Sequence, residues 1–122
     1  MTQEETQFII KRYTYIDRAI TVGDEELNFY VGNRKNGITI TKEVKTTYAI
    51  IREVFDAEKN FWIKYMIRRI LRGDSDVSIM RSMPVMKNAY YARKQRFECK
   101  VLMCCIAKGL VDYSYILSMP ID

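Results

Sequence analysis

Apolar positions recur at a helical spacing near the start of the chain. Ile9, Tyr13, Ile16 and Ile20 fall at i, i+4, i+7 and i+11, the mark of one buried stripe on an amphipathic helix over residues 5–21. Gly23 ends that helix. Leu27-Asn28-Phe29-Tyr30-Val31 and Ile38-Thr39-Ile40-Thr41 are β-prone runs, and the Gly/Asn-rich stretch 32–37 between them predicts a small β-hairpin. The alternative is an irregular loop with a basic tip. A lone hairpin is marginal in water, so it has to pack on a helix or on a partner. From Lys42 the helical period returns, with Tyr48, Ile51 and Phe55 on one face and Val44, Ile50 and Val54 beside it. Asp56-Ala57-Glu58-Lys59 marks a break or a new N-terminus. The helix over 57–72 that follows carries Phe61, Trp62, Ile63, Met66, Ile67, Ile70 and Leu71, a stripe broad enough for a central helix covered on two sides. Gly73 terminates it as a glycine beyond a helix C-terminus does.

Residues 76–108 organise the rest. Asp76 can cap a short helix whose Val77, Met80 and Met83 share a face, with Ile79 alongside. Pro84 has no amide and disfavours helical geometry at the residue before it, so this helix should stop near Met83. A long helix from Lys87 then has two regimes. Lys87, Asn88, Tyr90, Tyr91, Arg93, Lys94, Gln95 and Arg96 are polar or aromatic, whereas Phe97, Val101, Leu102, Met103, Cys104, Cys105 and Ile106 are core material. Helix, tight turn and helix in this order match a helix-turn-helix unit, whose second helix can lie in a DNA major groove. Two helices around a proline turn also occur in ordinary all-α domains. The expected architecture is mainly α, with a C-terminal helix-turn-helix and a small N-terminal β-hairpin. It divides into a helix and hairpin (1–41), a helical helix-turn-helix unit (42–109) and an apolar tail (110–122), which packs back on the domain or joins a partner.

Charge sharpens the picture. Of the 122 residues, the net charge is +5, but residues 59–108 hold 12 Lys/Arg against 3 Asp/Glu, whereas residues 1–58 hold 8 against 10. A basic block of that size suits phosphate contact with counterion release; a solvated helix surface is the plainer reading. The chain has no histidine, which removes His-based acid–base catalysis, nucleophile–His pairs and His-ligated metals. Cys99, Cys104 and Cys105 form no CxxC pair and read as small core residues in a reducing compartment. No Gly-rich phosphate loop is present, and charged residues interrupt every apolar stretch that could span a bilayer. The chain reads as neither an enzyme nor a cofactor or metal carrier.

The run Met83-Pro84-Val85-Met86-Lys87-Asn88-Ala89-Tyr90-Tyr91-Ala92-Arg93-Lys94 resembles the C-terminal helix-turn-helix of phage transcriptional activators of the ArpU and RinA kind, a pattern shared with sigma-factor region 4 domains. The positions that carry the likeness are Tyr90, Tyr91, Lys94 and Gly109, with the helix pair 44–55 and 57–72 before them, and it extends from Lys42 to Gly109. Met86 stands where that family usually caps the reading helix with Ser or Thr, and Ala89 where it has a small polar residue. What the resemblance implies is regulation of late or packaging genes of a phage or mobile element, in the cytoplasm of a bacterial host, through double-stranded promoter DNA.

On that reading Lys87, Asn88, Tyr91, Lys94 and Gln95 are the candidate base contacts. Lysine donates to guanine, Asn and Gln pair with adenine, and tyrosine meets a thymine methyl or a phosphate. Arg72, Arg81, Arg93 and Arg96 suit phosphates. Tyr90 is better placed in the core. RNA polymerase is an expected partner for the acidic N-terminal part, and a homodimer is expected from the habits of such regulators. The rival is a small protein-interaction module that modulates a regulator or polymerase through Trp62, the hairpin and the tail.

Overall fold

The computed structural model describes residues 2–111. They form helices α1 (Gln3–Lys11) and α2 (Tyr13–Val22), a hairpin of β1 (Glu26–Val31) and β2 (Arg34–Thr39), and then α3 (Lys42–Ala57), α4 (Phe61–Arg72), α5 (Asp76–Arg81) and α6 (Lys87–Ala107). The chain is thus mainly helical with a small N-terminal hairpin, as its periodicity predicts.

The helix expected over 5–21 is broken at Arg12, whose φ of −105° and ψ of 16° leave the helical region. Burial explains the break. Ile10 and Ala19 are both in the core, at 2% and 3% exposure, yet nine residues apart on one straight helix they would point about 180° away from each other. Two helices re-aim the second stripe so that both sides are buried. Thr2 caps α1 by accepting from the Glu5 amide at 3.1 Å, and Glu4, Glu5 and Lys11 complement its dipole.

In the hairpin, Val31 pairs with Arg34 and Glu26 with Thr39, so Gly32-Asn33 alone make the turn. Gly32 supplies the positive φ (62°) that a two-residue turn with glycine first requires. Arg34–Gly37 therefore belong to β2, not to the loop the sequence suggests. Leu27 and Ile38 face each other across the ladder and pack on the core edge beside buried Ile40.

Thr41 caps α3, which buries Val44, Thr47, Tyr48, Ile50 and Ile51. Its neighbour α4 starts at Phe61, four residues after the expected 57, because Asn60 Oδ1 accepts from the Trp62 and Ile63 amides and opens the helix there. That shift matters for the stripe: Met66, Ile67, Ile70 and Leu71 are buried, whereas Phe61 and Trp62 stand on the exposed first turn. Gly73, in the left-handed region at φ 90°, ends α4. Two further expectations change at α5. Ser75, not Asp76, is its cap, accepting from the Ser78 amide at 3.2 Å. Its buried residue is Ile79, joined by Met83 of the turn, while Val77 is 54% exposed, because a six-residue helix meets α4 along a narrow face only.

One hydrophobic cluster unites the elements, with Ile9, Ile10, Ile16 and Ala19 from the N-terminal helices meeting Ile51, Met66, Ile67, Tyr90, Phe97 and Val101. The 21-residue α6 packs against α1, α3 and α4. Of the apolar tail, Leu110 is half-buried and Val111 buried; residues 112–122 lie outside the described residues. Among those described, no helix is long and apolar enough to cross a membrane.

Ile67 is 1% exposed at the centre of this cluster. Ile67→Ala is expected to cost roughly 2–5 kcal/mol in urea unfolding. Met86→Ala, at 82% exposure, should change stability by less than about 0.5 kcal/mol. Equal effects would contradict the packing.

Candidate nucleic-acid interface

The turn between α5 and α6 runs over residues 82–86 and contains Pro84. No side chain caps α6 among the described residues, since Met86 occupies the N-cap; the free amides and dipole of the first turn face outward there, a geometry that favours anions. Residues 81–97 carry five Lys/Arg and no Asp/Glu. Tyr90, Phe97, Val101 and Cys105 are its buried seam. At about 100° per residue, the outward arc of the first turns is centred near Ala92, with Asn88 and Tyr91 on one flank and Arg93 and Arg96 on the other. Small residues in that centre allow close approach to a surface.

The candidate base contacts divide into two groups. Lys87, Asn88 and Tyr91 are exposed, and Tyr91 packs edge-on against Tyr90 at 5.2 Å between ring centroids. Lys94 and Gln95 are half-buried. The Lys94 ammonium donates to Asp76 Oδ1 at 2.9 Å, and Gln95 lines a small cleft against α1 with Gln3, Thr6 and Gln7. The phosphate candidates also differ. Arg81 and Arg96 are exposed, Arg93 is half-buried, and none of the three forms a salt bridge among the described residues. Arg72 donates two hydrogen bonds to Asp74 Oδ2, at 3.0 and 2.7 Å, while its side chain stays 63% exposed.

Three polar residues hold the unit and escape a reading by pattern. Arg69 is the first: its guanidinium donates to Asp74, to the Tyr65 hydroxyl at 2.7 Å, to Ser82 Oγ at 3.1 Å and to Ser78 Oγ at 2.9 Å. It thereby ties α4 to both ends of α5, and Arg72 and then Arg69 hold the Asp74 carboxyl below its ordinary range. Asp76 is the second. Oδ1 accepts from both Tyr90 Oη at 2.7 Å and Lys94 Nζ at 2.9 Å. Burial would raise this carboxyl, but the Lys94 ammonium and the Tyr90 hydroxyl outweigh it and keep the group below the usual carboxylate range. Glu98 is the third, half-buried between α6 and α1, where Gln7 Nε2 reaches it at 3.5 Å. Burial raises its carboxyl, and Lys94 and Lys11 offset only part of that. Lys11, Lys94, Glu98, Arg72 and Asp74 line a polar cleft of about 550 Å³ between the N-terminal helices and the helix-turn-helix unit. Spacing could not find these partners, because Asp76 meets side chains 14 and 18 positions away.

Elsewhere, Phe61 (71% exposed) and Trp62 (37%) meet edge to face at 5.1 Å on the surface of α4. Cys105 is buried and its thiol lies 3.9 Å from Thr47 Oγ1, whereas Cys99 and Cys104 are half-buried. Among the described residues, no group of three or more His, Cys, Asp or Glu could hold a metal ion.

No protein-family model matches the chain, and no curated protein or solved structure is similar enough to count as a match.

Glu98 yields a test with a definite sign. A carboxyl raised on folding favours the protonated form, so its contribution is full below its ordinary value of 4.5 and is lost as pH climbs through the raised one. Glu98→Gln should therefore melt above the wild type at pH 7, with the difference gone by about pH 4. A variant that melts lower at pH 7 would contradict the burial cost.

Proposed function

We propose that the chain binds double-stranded promoter DNA as a transcription regulator of a phage or other mobile element, with α6 as the reading helix and α5 seated behind it. One observation carries the reading. The first three turns of α6 project Lys87, Arg93 and Arg96, with Arg81 nearby and no carboxylate within residues 81–97, from a helix whose C-terminal half is anchored in the core. Cations left without carboxylate partners are what phosphate neutralisation needs. Lys87, Asn88 and Tyr91 are the side chains free to reach base edges; Arg81, Arg93, Arg96 and the exposed part of Arg72 suit the backbone. Missing capping by Met86 is consistent with an N-terminus meant to face phosphate. The phage assignment rests on the likeness of Met83–Lys94 to the activators named above. Contact with RNA polymerase and pairing as a homodimer belong to the same proposal.

A second reading, a protein-interaction module, is favoured by the exposed Phe61–Trp62 pair, since aromatic side chains dominate protein contacts.

The test is a salt-titrated binding measurement on duplexes selected from a random-sequence library. A steep dependence on salt is expected for the selected duplex. Lys87→Ala should weaken binding roughly tenfold and lower the slope of log K against log salt by about 0.9. Weak binding to every duplex, indifferent to the substitution, would overturn the DNA reading and favour the second.

A further inference from the structure

We infer that Asp76 is the positioning residue of the reading helix and that Lys94 serves it as a clasp, not as a contact to DNA. The inference deepens the DNA-binding reading and rests on it.

Few other contacts set the angle between α5 and α6. At six residues, α5 is too short to be stable by itself. Its buried apolar contact is Ile79, and the following turn adds Met83. No side chain caps α6 among the described residues. Against that background Asp76 joins the two helices twice through a single oxygen, to Tyr90 at 2.7 Å and to Lys94 at 2.9 Å. Tyr90 and Lys94 are one turn apart, so the carboxylate fixes both the tilt and the rotation of α6. Asp76 is itself held, because Ser75 caps its helix and Arg69 binds Ser78 and Ser82 from α4. Position thus passes from the core helix α4 through α5 to the first turns of α6.

The same contact withdraws Lys94 from the outer surface. Its side chain is 23% exposed and borders the cleft shared with Lys11 and Glu98, towards the N-terminal helices. A lysine already matched by a carboxylate adds no net charge to neutralise a phosphate, so it displaces no counterion from the DNA. Lys94 should then add nothing to the salt dependence, in contrast to Lys87, although it shares a helical face with Lys87 and Tyr91.

The full chain carrying Asp76→Asn or Lys94→Met is compared with wild type and Lys87→Ala on the selected duplex and on a shuffled copy. Asn keeps an acceptor for the buried Tyr90 hydroxyl, which protects the fold. Lys94→Met is expected to leave the salt slope unchanged while reducing preference for the selected duplex. Asp76→Asn frees Lys94 and should raise the slope by about 0.9 as preference falls. Amide exchange without DNA supplies the independent arm: both variants should lose about tenfold protection at residues 90–94. A drop in slope for Lys94→Met equal to that of Lys87→Ala would overturn the inference, and so would unchanged exchange. Wild-type protein that binds no duplex would overturn the DNA reading and the role assigned to Lys94 within it; loosened exchange would then mark a structural link alone.

Discussion

A tyrosine ring buried in an apolar core brings a hydroxyl that needs a partner there. Tyr90 is wholly buried, and Asp76 is the partner. Much of the geometry of α5 and α6 follows from that one requirement. It places the first turn of α5 beside the second turn of α6, draws Lys94 in to balance the carboxylate, and turns Asn88, Tyr91, Arg93 and Arg96 to the sides that remain. An apolar residue at position 90 would fill the core but remove the directional tie between the first turns of α6 and α5, because hydrophobic contact is not directional.

The rest of the molecule reads as a brace for this arrangement. Met66, Ile67, Ile70 and Leu71 give α4 a buried side, and Arg69 on its other side reaches α5 through Ser78 and Ser82. The N-terminal helices pack on the same cluster, and Gln7 extends from α1 to Glu98 of α6. On the proposed function, this division is physically sensible: positions that must hold register are buried and multiply bonded, while those that meet a partner are exposed and carry charge without carboxylate neighbours.

The legibility of the sequence followed the range of the interactions. Helix ends such as Gly73, the buried pair Tyr48 and Ile51 on α3, and the change from polar to apolar along α6 were readable, because each depends on residues within a few turns. The break at Arg12 was hidden, since Ile9, Tyr13, Ile16 and Ile20 fit one uninterrupted helix and only the demand that Ala19 also be buried forbids it. Arg34-Lys35-Asn36-Gly37 looked like a loop by composition; pairing with β1 made it strand. Asp76 looked like a cap because caps are local, whereas its true partners lie a helix away. The pattern placed the five candidate base contacts on one helix but could not separate Lys87 and Tyr91, which are exposed, from Lys94 and Gln95, which are drawn inward.

The proposed function makes the first turns of α6 the surface that meets DNA. It is tested most directly by recording backbone amide NMR spectra of the full chain during titration with a selected duplex. The largest shifts should cluster at residues 81–93, with α3 and the hairpin little changed. Shifts centred on residues 60–65, or a spectrum indifferent to the duplex, would contradict it.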